Sequence, residues 1–421
     1  MLRDRVVAWA KSLGPGLITG AADDDPSGIA TYSITGASTG LSMLWTALIT
    51  TPMMAVINGT CARVGLVTGK GLMTALATTM PRPLVYALAI LVGLANTFNI
   101  GADLDAMAAA AHLLTHIPAE LWLVAFAAVI IAVEVFFDYR AFADVMKWLC
   151  LSLAAYVVTA FIVRPHWLSV LFNLVVPHVE LNGAWLTTLT AALGTTITPY
   201  LFFWQTSMTA EEREARRRDE GRSSKANSRS IAAIHGDANT GAIYSNVVMF
   251  FIIVTAASTL GAHGASHITT AQQVAEALRP LAGNFAFALF TLGIVGTGLL
   301  AVPVLAGSTA YMAAELHGFR EGLAVQWWRA PGFYGVIVAG VLAGVGMGLG
   351  HFDPVKALFW SAVFNGIAAI PLLYALIRVA RDKRILGKWG VSRAALIWLW
   401  LAFVLMSASV AGMVASWFIK T

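Results

Sequence analysis

Cysteine and charge are both scarce in this chain. There are only two cysteines, Cys61 and Cys150, each in an apolar stretch and far from the other, so neither a disulfide framework nor a Cys-x-x-Cys metal site is available. Charged residues make up 12% of the 421 residues, whereas 58% are hydrophobic and the mean hydropathy is +0.74. Soluble globular domains carry about 25% charged residues. The composition therefore excludes an ordinary soluble protein.

Long apolar runs recur along the whole chain. A helix needs about 20 mostly apolar residues to cross a bilayer. The sequence predicts eleven such spans, at 14–38, 42–66, 84–114, 118–138, 145–164, 184–208, 238–262, 283–315, 331–350, 355–379 and 393–418. We therefore predict an all-α integral membrane protein in which residues 1–421 form a single transmembrane domain within a lipid bilayer. The sequence predicts no particular protein partner.

The basic residues predict the orientation of these spans. With the N-terminus in the cytoplasm, only Arg164, Arg279, Lys356 and Lys420 fall on the outer side, as expected because short cytoplasmic loops carry the excess of Lys and Arg. The net charge of +5 then reflects topology, and nucleic acid is not an expected partner. Residues 209–237 are predicted to be a cytoplasmic loop. The same distribution of Lys and Arg predicts an extracytoplasmic C-terminus. The charged, amphipathic N-terminal segment does not resemble a cleavable signal peptide, which favours a bacterial inner membrane.

Two of the predicted spans are interrupted near their middle. In GPGLITGAADDDPSGIATY, three aspartates directly precede Pro26. In TAALGTTITPYLFFWQTS, three threonines lie within the four residues before Pro199. Proline breaks the helical hydrogen-bond ladder and frees backbone carbonyl groups, which lipid cannot satisfy. Since the interrupted spans are the first and the sixth, the pattern predicts a transporter made of two inverted five-helix repeats, about 14–164 and 184–379, with a peripheral helix at about 393–418.

The residues at the breaks indicate a cation as the substrate. Carboxylates beside unwound carbonyl groups suit a positive ion, whereas an anion would face helix N-termini without carboxylates. A sodium-coupled small-solute symporter of the same architecture is an alternative, although it would have a glycine-rich break without an acidic triplet. A channel is a further alternative. No enzyme, catalytic residue or cofactor is predicted, because clustered His or Cys ligands and the HExxH and phosphate-loop patterns are absent from the sequence.

The two interrupted stretches are similar to motifs of a known family. GPGLITGAADDDPSGIAT resembles the first-helix motif of the Nramp divalent-metal transporters, and GTTITPYLFFWQTS resembles their sixth-helix motif, G-A-x-x-M-P-H. The resemblance implies a LeuT-like five-plus-five fold and import of a divalent metal ion by alternating access. It implies that Asp25 is the metal-ligating aspartate and that Ala22 offers a ligating carbonyl. Asp24, as a second carboxylate, and Thr195, through its carbonyl, are further candidate ligands.

The chain departs from the family pattern at three motif positions. Thr198 stands where the ligating methionine is expected, Gly28 where the ligating asparagine is expected, and Tyr200 where a histidine follows the proline. Without the soft thioether, a hard ion is no longer disfavoured, and Mg²⁺ is usually bound with several waters retained. These departures resemble the Nramp-related magnesium transporters (NRMT), which implies transport of partly hydrated Mg²⁺ and Mn²⁺. A conventional proton-coupled Mn²⁺/Fe²⁺ importer is the alternative.

Polar residues in other spans are candidates for the ion pathway. Asn96, Asn99 and Asp103 lie at positions i, i+3 and i+7, on one face of the third predicted helix. Asp103 matches the proton-pathway aspartate of the family, but Ala106 stands where a glutamate is usual, which predicts weak or absent proton coupling. Asn365 in the tenth span is a further candidate, as is Tyr200 through a bound water. Contacts between helices are the alternative role for the asparagines.

Overall fold

The structure is a computed structural model and describes residues 19–20, 22–136, 151–220, 226–261, 268, 270–350 and 353–418. Within these residues, all regular secondary structure is helical. The α-helices are α1 Pro26–Thr39, α2 Trp45–Thr68, α3 Leu72–Thr79, α4 Arg82–Thr115, α5 Ala119–Phe136, α6 Ala154–Val163, α7 Trp167–Val175, α8 Gly183–Thr196, α9 Pro199–Glu220, α10 Ser228–Thr259, α11 Ala271–Glu276, α12 Arg279–Ala282, α13 Ala286–His317, α14 Pro331–Gly348, α15 Pro354–Arg381, α16 Lys383–Leu386 and α17 Arg393–Phe418.

Seven helices of the described part are long and apolar enough to cross a membrane, namely α4, α5, α10, α13, α14, α15 and α17. They coincide with seven of the eleven predicted spans. The remaining four spans correspond to α1, α2, α6 and the pair α8 and α9. Two of these four are interrupted, and the beginning of the fifth span, with Cys150, lies outside the described residues. The all-helical class and the membrane-spanning character are thus confirmed.

Burial separates the centre of the bundle from its periphery. Within the most apolar part of each helix, 72% of the residues of α13 are buried inside the protein, compared with 22% for α17. Large apolar side chains remain exposed on the outer helices, such as Leu94 at 67% and Trp417 at 58%. An apolar surface of this extent suits lipid rather than water. The last helix is therefore peripheral, as the sequence predicts.

Both predicted interruptions are present. The described residues before Asp24 are helical, and α1 begins only at Pro26, with Asp25 as its N-cap. In the sixth span, α8 ends at Thr196 and α9 begins at Pro199. Proline is well suited to the first position of a helix, where its missing N–H is not needed and its fixed φ angle is already helical. Each proline therefore starts the second half of its broken helix.

Glycine allows the broken helices to pack tightly against α10 and α15. A Cβ atom at Gly20 would lie 2.5 Å from the backbone of Gly241 in α10, and one at Gly194 would overlap the carbonyl oxygen of Ala362 in α15. Real Cβ atoms do not approach other atoms this closely, so both contacts require glycine. The two breaks are thereby held against α10 and α15, which contribute Ser245 and Asn365 to the polar contacts near the breaks.

The predicted loop 209–237 is largely helical where it is described. α9 continues to Glu220, supported in its last turns by pairs such as Arg216 with Glu212 at 3.7 Å, and α10 begins directly after a capping box at Asn227. Opposite charges at positions i and i+4 support a solvated helix without an apolar face. The loop was predicted because the apolar run ends, but the helix extends further.

Candidate functional site

Three consecutive carboxylates at the first break are completely buried. Asp23, Asp24 and Asp25 are each 0% exposed. Their hydrogen bonds divide them into two groups, because Asp25 contacts α4 whereas Asp23 and Asp24 contact α10. The acidic triplet therefore faces two helices, with Asp25 directed toward α4 and the other two aspartates directed toward α10.

Asp25 fixes the start of α1 and reaches across to α4. Its Oδ1 accepts hydrogen bonds from the Ser27 hydroxyl at 2.8 Å and from the Gly28 amide at 2.7 Å, the second of which is the N-cap bond of α1. Its Oδ2 accepts a hydrogen bond from Asn99 Nδ2 at 3.0 Å. Three donors hold the carboxylate in place, and a carboxylate has further lone pairs with which to bind a cation.

Asn99 connects Asp25 to two other residues predicted for the ion pathway. Its amide lies 3.3 Å from Asp103 Oδ2, and its Oδ1 accepts a hydrogen bond from Asn365 Nδ2 at 3.4 Å. All four residues are 0% exposed. They form one buried polar network in which α1, α4 and α15 meet.

Asn96 lies outside this network. Its amide donates hydrogen bonds to the hydroxyl groups of Ser308 and Thr309 in α13, at 3.0 and 2.8 Å. The structure therefore does not bring Asn96 to the aspartates, although it shares a helix face with Asn99. Its hydrogen bonds join α4 to α13.

The second break presents hydroxyl groups to the first. Thr195 Oγ1 lies 3.2 Å from Ser27 Oγ, and the Thr198 hydroxyl donates a hydrogen bond to Asp23 Oδ1 at 3.3 Å. Both threonines are at most 1% exposed. The two broken helices thus meet through side-chain oxygen atoms, which are ligands preferred by hard cations.

Gly28 leaves space between the two breaks. A Cβ atom at Gly28 would lie 3.4 Å from the carbonyl oxygen of Asp23, and 3.5 Å from both Asp25 Oδ1 and Thr195 Oγ1. These are ordinary van der Waals distances, so a small side chain would fit without displacing its neighbours. The glycine therefore faces a space bordered by three oxygen atoms.

Tyr200 engages the carbonyl group of Ala22. The Tyr200 hydroxyl donates a hydrogen bond to this oxygen at 2.9 Å, and both residues are 0% exposed. The tyrosine thereby satisfies one of the backbone groups freed by the first break. A carbonyl oxygen has a second lone pair, which leaves Ala22 able to bind an ion as well.

The buried carboxylates have no cationic side chain among their partners. In the described ranges, no Lys, Arg or His forms a hydrogen bond or ion pair with Asp23, Asp24, Asp25 or Asp103. Asp24 Oδ2 and Asp103 Oδ1 have no hydrogen-bond partner among the residues that the structure describes. An ionised carboxylate removed from water is costly unless it is paired. The arrangement therefore favours occupation by a positive charge.

Carboxylates alone do not complete a metal cage here. The described residues contain no group of three His, Cys, Asp or Glu side chains arranged to hold an ion. A metal ion bound at the breaks would therefore take its other ligands from hydroxyl groups, carbonyl groups and water. Mg²⁺ in particular is usually bound in this way, with one or two carboxylates and several waters.

Ser245 is a contact residue that the sequence did not single out. This serine of α10 is 0% exposed, and its hydroxyl lies 2.7 Å from Asp23 Oδ2 and 3.2 Å from Asp24 Oδ1. A serine in an apolar helix is common and often bonds only within its own helix. The more polar neighbour Asn246 accepts a hydrogen bond from Thr50 of α2 instead. Only the packing of α10 against the first break identifies Ser245.

Sequence comparisons extend over nearly the whole chain. The Nramp family model, described as natural resistance-associated macrophage protein-like, matches residues 16–416. The divalent metal cation transporter MntH of Granulibacter bethesdensis is 26% identical over 411 residues, which cover 93% of this chain and 87% of that protein. MntH of Ralstonia nicotianae is 27% identical over 418 residues, covering 95% of this chain and 90% of that protein.

Solved structures share the fold. The manganese transporter of Eremococcus coleocola, crystallised with an aromatic bis-isothiourea compound, is similar with a TM-score of 0.72 and 17% identity, over 98% of this chain and 89% of that one. Mhp1, a nucleobase-cation-symport-1 family transporter in a closed conformation, is similar with a TM-score of 0.54 and 15% identity, over 96% of this chain and 91% of that one. Both likenesses concern the fold alone.

Proposed function

This chain belongs to the Nramp family of membrane transporters, which are not enzymes, and we propose that it imports divalent metal cations, chiefly Mg²⁺ together with Mn²⁺, in partly hydrated form. The observation that carries the proposal is the buried set of carboxylates at the first break, which faces hydroxyl groups of the second break and has no cationic side-chain partner in the described residues. The relatives named as divalent metal cation transporters support the cation class.

The ion binds between the two broken helices. Asp25 supplies a carboxylate, Ala22 and Thr195 supply carbonyl oxygens, Thr198 supplies a hydroxyl, and Asp24 adds negative charge. These groups are all hard oxygen ligands, which suit Mg²⁺ and Mn²⁺. The space at Gly28 holds water that stays on the ion.

Transport follows from movement of the broken helices against the rest of the bundle, which exposes the site first to one side and then to the other. We propose the cytoplasm for the N-terminus, the outside for the C-terminus and a bacterial inner membrane for the protein. An inside-negative membrane potential favours entry by about 2.3 kcal/mol per charge per 100 mV. Because Tyr200 and Ala106 replace two titratable residues of the family motifs, proton coupling is weak or absent.

A proton-coupled Mn²⁺/Fe²⁺ importer is the second candidate. The solved neighbour from Eremococcus coleocola is a manganese transporter, and Asp103 remains at the position of the proton-pathway aspartate. In this alternative, Asp103 and Asp25 pass a proton inward with the metal ion. The two candidates differ in whether Mg²⁺ is carried and in whether the vesicle interior is acidified.

The proposed site is tested by Mn²⁺ uptake into proteoliposomes containing wild-type protein or Asp25→Asn. Asparagine can still cap α1, so the loss of charge is separated from the loss of the cap. Asp353→Asn is a matched control, because Asp353 is also an N-cap aspartate followed by proline, at the start of α15. We expect Asp25→Asn to lower the uptake rate more than tenfold and the control to leave it unchanged. Equal rates in all three proteins would refute the site.

A further inference from the structure

Asp23 and Asp24 share a single hydroxyl donor. Ser245 Oγ lies 2.7 Å from Asp23 Oδ2 and 3.2 Å from Asp24 Oδ1, but it has only one proton to donate. Within the described part of the chain, Asp24 Oδ2 has no hydrogen-bond partner, and the residue is 0% exposed. The other oxygen of Asp23 receives only the long bond from Thr198, at 3.3 Å. These two carboxylates are therefore short of donors.

Asp25 differs from its neighbours in this respect. Its carboxylate receives three hydrogen bonds, from Ser27, Gly28 and Asn99. None of these donors is shared with Asp23 or Asp24, which contact α10 and the second break. The acidic triplet thus contains two separate groups of ligands, one on the side of α4 and one on the side of α10.

We propose that Asp23, Asp24 and Ser245 form a second cation station beside the Asp25 site. The station holds a divalent ion through both carboxylates and the serine oxygen, and water completes the coordination. Two carboxylates neutralise a divalent ion, whereas a monovalent ion would leave one buried negative charge unpaired. This inference rests on the proposed function, because the ion in the station is the transported ion on its way past Asp25.

Binding stoichiometry tests the station. We would measure Mn²⁺ binding to the full-length protein in detergent by equilibrium dialysis. We expect two ions per wild-type chain, one for Asp25→Asn and one for the double variant Asp23→Asn with Asp24→Asn. A wild-type stoichiometry of one that falls to zero in Asp25→Asn and stays at one in the double variant would overturn the station. The proposed function would survive that result, whereas the absence of any Mn²⁺ binding to the wild type would overturn both.

A single substitution in α10 provides an independent test should the double variant fail to fold. Ser245→Ala removes the hydroxyl ligand, and we expect the dissociation constant of the Mn²⁺ ion that Asp25→Asn retains to rise on the order of tenfold. Thr255→Val is the matched control, because Thr255 is also buried in α10 but donates its hydroxyl to the Tyr156 carbonyl at 2.8 Å. Equal dissociation constants in the wild type and both variants would show that Ser245 is not a ligand and would overturn the station.

Discussion

Replacing Gly28 with asparagine adds the ligand that the family motif has at this position. The nearest atoms to a new Cβ would be at 3.4 to 3.5 Å, so the Cβ itself would make ordinary van der Waals contacts. Because glycine is unfavourable in a helix by up to about 1 kcal/mol, we expect stability to change by no more than that amount. The amide oxygen would replace a water on the ion. Since Mg²⁺ gives up water reluctantly, this exchange disfavours Mg²⁺ relative to Mn²⁺.

We expect Gly28→Asn to lower the ratio of Mg²⁺ to Mn²⁺ uptake about tenfold, which corresponds to about 1.4 kcal/mol. The assay is uptake into proteoliposomes with each ion alone and with the two in competition. Gly28→Ala is the control, because it adds the Cβ without an oxygen ligand. If both substitutions change the ratio equally, the effect is one of volume, and the role assigned to the missing asparagine is refuted.

Three further predictions concern stability in detergent. Tyr200→Phe leaves the Ala22 carbonyl without its hydrogen bond, so we expect the free energy of unfolding without metal to fall by about 1–3 kcal/mol. We also expect Mn²⁺ to stabilise this variant more than it stabilises the wild type. Equal stabilisation of the two proteins by Mn²⁺ would contradict Ala22 as a ligand. Gly194→Ala forces α8 away from α15 and should lower the free energy of unfolding by about 1–3 kcal/mol, whereas Gly335→Ala, which meets open space, should not. Burial and two neighbouring glutamates raise the pKa of Glu321, in the connection between α13 and α14, from 4.5 to about 8. Because the folded protein keeps this proton while the unfolded chain loses it, stability should fall as the pH rises from about 4.5 to about 8, and Glu321→Gln should reduce this dependence in chemical unfolding.

The interruptions of the first and sixth spans were predictable because proline acts locally. Pro26 and Pro199 each start a helix where the apolar run continues, and the sequence alone locates both positions. The length and hydropathy of the other spans likewise predict membrane helices without knowledge of their neighbours. These features depend on residues that are close together in the chain.

The directions of the side chains were not predictable, because they depend on contacts between distant segments. Helical periodicity places Asn96 and Asn99 on one face of α4, yet Asn96 meets α13 while Asn99 meets Asp25. Similarly, Asp24 meets Ser245, which is 221 positions away in the chain. A sequence pattern gives the face of a helix, but the neighbouring helices decide which residue completes a site.

Uptake of Mg²⁺ by the wild-type chain is the measurement that tests the central claim most directly. Proteoliposomes with an inside-negative potential would be supplied with Mg²⁺ or Mn²⁺ while an internal dye reports pH. We predict that both ions enter and that the internal pH stays constant. Entry of Mn²⁺ with exclusion of Mg²⁺ and acidification of the interior would contradict the account and identify a proton-coupled manganese importer.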